Sequence, residues 1–141
     1  MTQGNCPEIR RLTVGPYGVN SYVLVCPATK ESLIIDPADE AEKILEAAKG
    51  TRVKEILFTH AHFDHIQAYR AVKESTGAPS AIHPGDVGLL GSKTDRELRD
   101  GELIQCGNFS IKVVHVPGHT EGGVCFLLNG DMIVGDNVFP G

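Results

Sequence analysis

Seven consecutive residues contain three of the six histidines of this 141-residue chain. The segment reads Thr59-His60-Ala61-His62-Phe63-Asp64-His65. Its three imidazoles and one carboxylate are nitrogen and oxygen donors of the kind that bind zinc, iron or manganese. Because His60 and His62 are two residues apart, they can point to the same side of an extended segment. Asp64 and His65 follow on a turn, where they could face a second metal ion. The spacing therefore predicts a metal centre.

Two further candidate ligands follow later in the chain, each at the end of a predicted strand. His119 lies in the segment Val116-Pro117-Gly118-His119-Thr120, where proline and glycine favour a tight turn. Asp136 follows the apolar run Ile133-Val134 and Gly135. Ligands at strand ends are held by a rigid scaffold and stay open to substrate. We therefore add His119 and Asp136 to the predicted site.

Three other polar residues are interpreted as structural. His83 and His115 are isolated in the sequence, and such histidines are most often hydrogen-bonded within the fold. Asp36 lies at a strand end before Pro37. We expect it to order a loop or to support a metal-binding histidine from behind.

Short apolar runs and helical spacing predict the elements that must position these residues. The predicted strands are residues 9–14, 20–25, 32–35, 53–58, 81–82, 109–114, 124–128 and 132–134. The predicted helices are a segment that Asp39 caps and that ends at Gly50, residues 66–75, and a short third at 85–90; residues 95–101 are predicted as a polar loop. The strand that precedes the histidines ends in three apolar residues, so we expect it to be covered on both faces in a layered α/β structure.

Composition and charge narrow the class of protein. Hydrophobic residues make up 41% and charged residues 22%, which is ordinary for one soluble domain, here residues 1–141. A net charge of −5 argues against a nucleic-acid partner. We find no apolar run long enough for a membrane span and no signal peptide. The four cysteines form no C-x-x-C pair, so we expect reduced thiols and a cytoplasmic protein.

The order of the motifs carries a resemblance. Thr-His-x-His-x-Asp-His, then Pro-Gly-His-Thr, then Gly-Asp is similar to the metallo-β-lactamase superfamily, and the chain most resembles its glyoxalase II-like members, the hydroxyacylglutathione hydrolases. The resemblance includes Leu33-Ile34-Ile35-Asp36-Pro37 and Ala81-Ile82-His83-Pro84. It implies an α/β (α+β) fold, the αββα sandwich, with a dinuclear metal site in a cleft at the sheet edges.

The resemblance also implies a role for each candidate ligand. One ion would be held by His60, His62 and His119, and a second by Asp64 and His65, with Asp136 bridging both. Family members supply one more histidine to the second ion, and none follows His119 here. The sequence thus resembles the first two-thirds of a family member, with the second half of the sandwich incomplete. We expect two zinc ions, or one if the second site stays incomplete, with iron or manganese as alternatives.

The implied reaction is hydrolysis of a small acyl thioester such as S-lactoylglutathione by a metal-bound hydroxide, which Asp64 would orient. A persulfide dioxygenase with one iron on His60, His119 and Asp136 is a second hypothesis, and a lactonase is a third. A fourth is an inactive fragment that could form a homodimer through its uncovered sheet edge. For each enzyme hypothesis the partner is a small molecule, with neither nucleic acid nor membrane involved.

Overall fold

The computed structural model describes residues 7–15, 19–59, 66–86, 94–116, 123–128, 131–134 and 137–140. Within these residues lie two β-sheets and two α-helices. No described helix is long and apolar enough to cross a membrane.

The first sheet has six strands that lie side by side in chain order. They are β1 (Glu8–Val14), β2 (Val19–Val25), β3 (Glu31–Ile35), β4 (Arg52–Leu57), β5 (Ser80–Ile82) and β6 (Arg96–Glu97). β1, β2 and β3 are antiparallel, whereas β3 to β6 are parallel. Parallel neighbours need a crossover connection. Helix α1 (Ala41–Ala47) lies between β3 and β4 in the chain, and α2 (Ile66–Thr76) between β4 and β5.

The second sheet is antiparallel throughout. Its strands are β7 (Leu103–Cys106), β8 (Phe109–His115), β9 (Val124–Leu128), β10 (Asp131–Val134) and β11 (Asn137–Pro140), in the order β11-β10-β9-β8-β7. The sheet is a meander, in which each strand pairs with the next one along the chain.

Two apolar cores follow from the alternation of side chains along the strands. Tyr22 and Leu24 of β2 face the second sheet and pack in one cluster with Phe126 of β9. Val23, which lies between them, faces the other way and packs in the cluster that contains Ile44 of α1 and Tyr69 and Val72 of α2. Both described helices thus cover the outer face of the first sheet. The described layers are helix, sheet and sheet, which confirms the mixed α/β fold and the buried β4.

Three local features of the described residues differ from the elements predicted from the sequence. The region predicted as a polar loop, 95–101, contains β6, because Arg96 bonds Glu55 and Glu102 and so holds a polar edge strand in place. Strands β7 and β11 were not predicted. The predicted helix 85–90 is a 3₁₀ turn at Pro84–Asp86, and residues 87–90 lie outside the described residues.

The start of α1 also differs from the prediction. Glu40, not Asp39, is the N-cap residue, with φ 49° and no side-chain cap bond. Asp39 instead accepts the N–H of Glu40 at 2.7 Å. The Glu40 carboxylate accepts the N–H of Gly15 at 2.7 Å. A contact to the β1 turn therefore replaces the local cap.

Candidate metal centre

The histidine-rich segment begins at one edge of the first sheet. Strands β3, β4 and β5 are parallel, with Ile35 beside Leu57 and Leu57 beside Ala81. Their carboxyl ends therefore meet at the same edge, where open α/β sheets commonly bind ligands. β4 is followed by Phe58 and Thr59, and residue 60 is the first histidine of the motif.

Asp36 holds the backbone at the point where that segment starts. Its Oδ1 accepts the Thr59 N–H at 2.7 Å, and its Oδ2 accepts the Thr59 hydroxyl at 2.5 Å. Asp36 is 4% exposed and Thr59 is 1% exposed. A buried carboxylate is tolerated only with such hydrogen bonds. The contact fixes the residue that directly precedes His60.

The backbone around Asp36 is itself held on both sides. Its N–H donates to Leu57 at 2.8 Å, and its carbonyl accepts the Ser21 hydroxyl at 2.5 Å. Its φ is 54°, a left-handed conformation that aspartate tolerates better than most residues. These contacts confirm that Asp36 orders a loop; its predicted support of a metal-binding histidine falls on residues outside those described.

The second sheet meets the first at this same edge. The N–H of Val124, at the start of β9, donates to the carbonyl of Thr59 at 2.8 Å. The N–H of Val116, just after β8, donates to the carbonyl of Gly123 at 2.9 Å. This bond joins the two residues that flank the segment 117–122, which contains His119 and lies outside the described residues. The two predicted ligand segments therefore begin at neighbouring points of the two sheets.

The segment with Asp136 is attached at the same edge. β10 is antiparallel to β9, with Ile133 beside Phe126, so β10 ends where β9 begins. β11 then starts with Asn137 paired to Val134. Asp136 lies in the two-residue connection between these strands.

His83 and His115 bring the two sheets together beside these segments. His83 follows β5 and His115 ends β8, and their ring centroids are 4.0 Å apart with planes 13° from parallel. The Nδ1 of His83 accepts the N–H of Gly85 at 3.1 Å. The backbone N–H of His115 donates to Asp100 at 2.8 Å. The His83 side chain is hydrogen-bonded within the fold, as predicted, but the contact between the two rings was missed, because no sequence period signals a pairing 32 residues apart.

The candidate ligands themselves lie outside the described residues. They are His60, His62, Asp64, His65, His119 and Asp136. Among the residues that the structure does describe, no group of three or more His, Cys, Asp or Glu could hold a metal ion. The predicted donor set of imidazoles and carboxylates suits zinc. The assignment of the six ligands stays a prediction, now with strand ends at one edge to carry them.

The thiols of Cys26, Cys106 and Cys125 are free. Cys26 follows β2 at the opposite edge of the first sheet. Burial raises the pKa of its thiol, but hydrogen bonds from the Thr29 side chain and from the backbone N–H groups of Asn108, Thr29 and Ala28 lower it to about 7. Burial raises the pKa of Cys106 to about 11.

Comparison with known proteins gives the family. The sequence profile of the Metallo-beta-lactamase superfamily matches residues 14–141. A Bacillus subtilis protein named "Probable metallo-hydrolase YqgX" is 34% identical over 154 residues, covering 94% of this chain and 72% of that protein. A "Hydroxyacylglutathione hydrolase" of Anaeromyxobacter dehalogenans is 34% identical over 124 residues, covering 87% of this chain and 48% of that protein.

A solved structure shows the same architecture. The crystal structure of the BLEG-1 B3 metallo-beta-lactamase matches with a TM-score of 0.73 and 30% identity, covering 86% of this chain and 67% of that one. This chain spans about half the length of the Anaeromyxobacter protein. The profile covers nearly the whole sequence and the Bacillus protein aligns along almost all of it, so the chain belongs to the metallo-beta-lactamase superfamily.

Proposed function

We propose that this chain carries a zinc centre that hydrolyses small acyl thioesters of the S-lactoylglutathione type. The coarser part of this statement, a metallo-hydrolase superfamily, follows from the profile and from the Bacillus relative. The thioester substrate is supported by the name of the Anaeromyxobacter relative. The net charge of −5 favours a small-molecule substrate over a nucleic acid. We place the reaction in the cytoplasm.

One observation carries the proposal: the segments with the candidate ligands are all attached at one edge of the sandwich. Thr59 precedes the histidine motif, and its carbonyl bonds Val124 of the other sheet. The bond between Val116 and Gly123 joins the two residues that flank the His119 segment beside it. Such strand-end segments present ligands from a rigid scaffold.

The ligand sets are those that the family resemblance implies. His60, His62 and His119 would hold one zinc ion; Asp64 and His65 would hold a second, with Asp136 between them. A bound zinc ion supplies a water molecule of lowered pKa and stabilises negative charge on the substrate carbonyl.

Two chemical features fit a thioester substrate, one belonging to the chain and one to the substrate. The carboxylate of Asp64 would accept a hydrogen bond from the attacking water and so orient it toward the carbonyl carbon. The leaving thiolate needs little protonation, because a thiol has a pKa near 8.5. No separate strong acid is then required of the chain.

The test is thiol release from S-lactoylglutathione by the zinc-loaded chain. We expect turnover that falls at least about 100-fold in His119→Ala, since loss of a metal ligand removes the activated water. Lys112→Ala is the matched control, because Lys112 is exposed on β8 of the same sheet, and we expect it to keep the wild-type rate.

Parallel substrates separate the rival activities. Sulfite formed from glutathione persulfide by an iron-loaded chain would replace the proposal with a dioxygenase. Turnover of lactones alone would replace it with a lactonase. A metal-loaded chain that is inert toward thioesters, lactones and persulfide would contradict an enzyme role for this chain.

A further inference from the structure

We propose that the stacked pair His83 and His115 anchors the end of β8, four residues before His119, and so sets how tightly the chain binds its metal ion. The inference rests on the proposed metal centre and extends it to two residues that are not ligands. The structure describes both residues: His83 directly follows β5 of the first sheet, and His115 is the last residue of β8 in the second sheet.

The pair holds the end of β8 against the residue that follows β5 of the first sheet. His115 is the last residue of β8, and His119 follows four residues later. The next residue, Val116, donates its N–H to the carbonyl of Gly123 at 2.9 Å, across the segment that contains His119. A displacement of the His115 ring would therefore be passed to Val116, the residue that precedes the segment with His119.

The His83 ring is held before His115 packs on it. Its Nδ1 accepts the N–H of Gly85 at 3.1 Å, inside the 3₁₀ turn at Pro84–Asp86. This bond fixes the ring plane, and it places the proton of a neutral imidazole on Nε2. His115 is in turn restrained by the bond from its backbone N–H to Asp100 at 2.8 Å. The near-parallel rings, 4.0 Å between centroids, then leave His115 one favoured position.

A merely structural role for the pair would predict something different. The two sheets are already joined by the shared apolar core and by the bond between Val124 and Thr59. Losing the stack should therefore change the stability of the metal-free chain little. A positioning role predicts instead a loss of metal affinity with the metal-free fold intact.

The experiment measures the zinc dissociation constant by competition with a chromophoric chelator, for the wild-type chain and four variants. We expect His115→Ala and His83→Ala each to weaken zinc binding about ten-fold, the lower end of the range for groups that support metal ligands. The double variant should be no weaker than either single one, because both remove the same contact. His115→Phe keeps a flat ring against His83 and should retain most of the affinity.

Thermal unfolding of the metal-free variants is the second readout. We expect midpoints within about 4 °C of the wild type, a change of about 1 kcal/mol or less. If His115→Ala fails to fold, His83→Ala and His115→Phe carry the comparison.

The outcomes separate this inference from the proposed function. Wild-type affinity in both alanine variants would overturn the positioning role and leave the metal centre standing. Additive losses in the double variant would also overturn it, because they would show two independent effects. A wild-type chain that binds no zinc would overturn the proposed function and this inference together.

Discussion

Replacing Asp36 by alanine tests the contact that holds the start of the histidine segment. The change removes the two hydrogen bonds that Thr59 donates, at 2.7 and 2.5 Å. Hydrogen bonds to a charged group contribute about 1.5–3 kcal/mol each. The φ of 54° at this position costs alanine about 1 kcal/mol. With the lower figure for each bond, we expect the free energy of unfolding to fall by about 4 kcal/mol. Asparagine, which tolerates this conformation and keeps one oxygen, should lose about half as much.

Urea denaturation of the metal-free chain measures this loss, and Asp95→Ala is the matched control. Asp95 also accepts a backbone N–H and a hydroxyl, both from Ser80, at 2.8 and 3.3 Å. Its side chain is 48% exposed, so water can replace these bonds, and we expect a loss of about 1 kcal/mol or less. Asp36→Ala and Asp95→Ala with equal unfolding free energies would refute the reasoning.

Three further predictions concern the thiols, a turn and the metal. Because the pKa of Cys26 is about 7 when folded, below its ordinary 9.0, stability should rise from pH 7 to 9, and Cys26→Ser should lose this rise. The pKa of Cys106 is about 11 in the folded chain, so stability should fall between pH 9 and 11, and Cys106→Ser should lose only that fall. Urea midpoints that do not change with pH would contradict both thiol predictions. Gly107→Ala would bring a Cβ within 2.6 Å of the Cys26 Sγ and should cost about 2 kcal/mol. Gly50→Ala is the control: its φ is 82° and an added Cβ would meet nothing within 4 Å, so it should cost about 1 kcal/mol. Equal losses in the two variants would show that the Cβ added at Gly107 does not collide with Cys26. A chelator should lower the thermal midpoint, and zinc at 100 times its dissociation constant should restore about 2.7 kcal/mol; an unchanged midpoint would argue against bound metal.

The elements of the fold with strong periodicity could be predicted from the sequence. Strand β4 ends in Ile56, Leu57 and Phe58, and the prediction that both its faces are covered is confirmed because it packs between the second sheet and α2. Strand β6 could not be predicted, because its two polar residues pair with β5 and Arg96 bonds Glu55 and Glu102, which are long-range contacts without a local sequence signal.

The sequence predicts the donors of the candidate site, which lie outside the described residues, but it says less about the residues that support them. The motif spacing identifies a donor set, and the resemblance assigns each ligand. The supports are long-range contacts: Asp36 meets Thr59 across 23 residues, and His83 meets His115 from the other sheet. Sequence alone indicated a supporting role for Asp36, since it ends a strand, but it contained no signal for the histidine pair.

The most direct test of the central claim is metal content per chain, measured by elemental analysis of protein purified without added metal. We expect about two zinc ions per chain, or one if the second site lacks its ligand, and a loss of zinc in His60→Ala. About one iron per chain would favour the dioxygenase hypothesis. A folded chain without metal, which takes up none when zinc is added, would contradict the metal centre on which the proposed function depends.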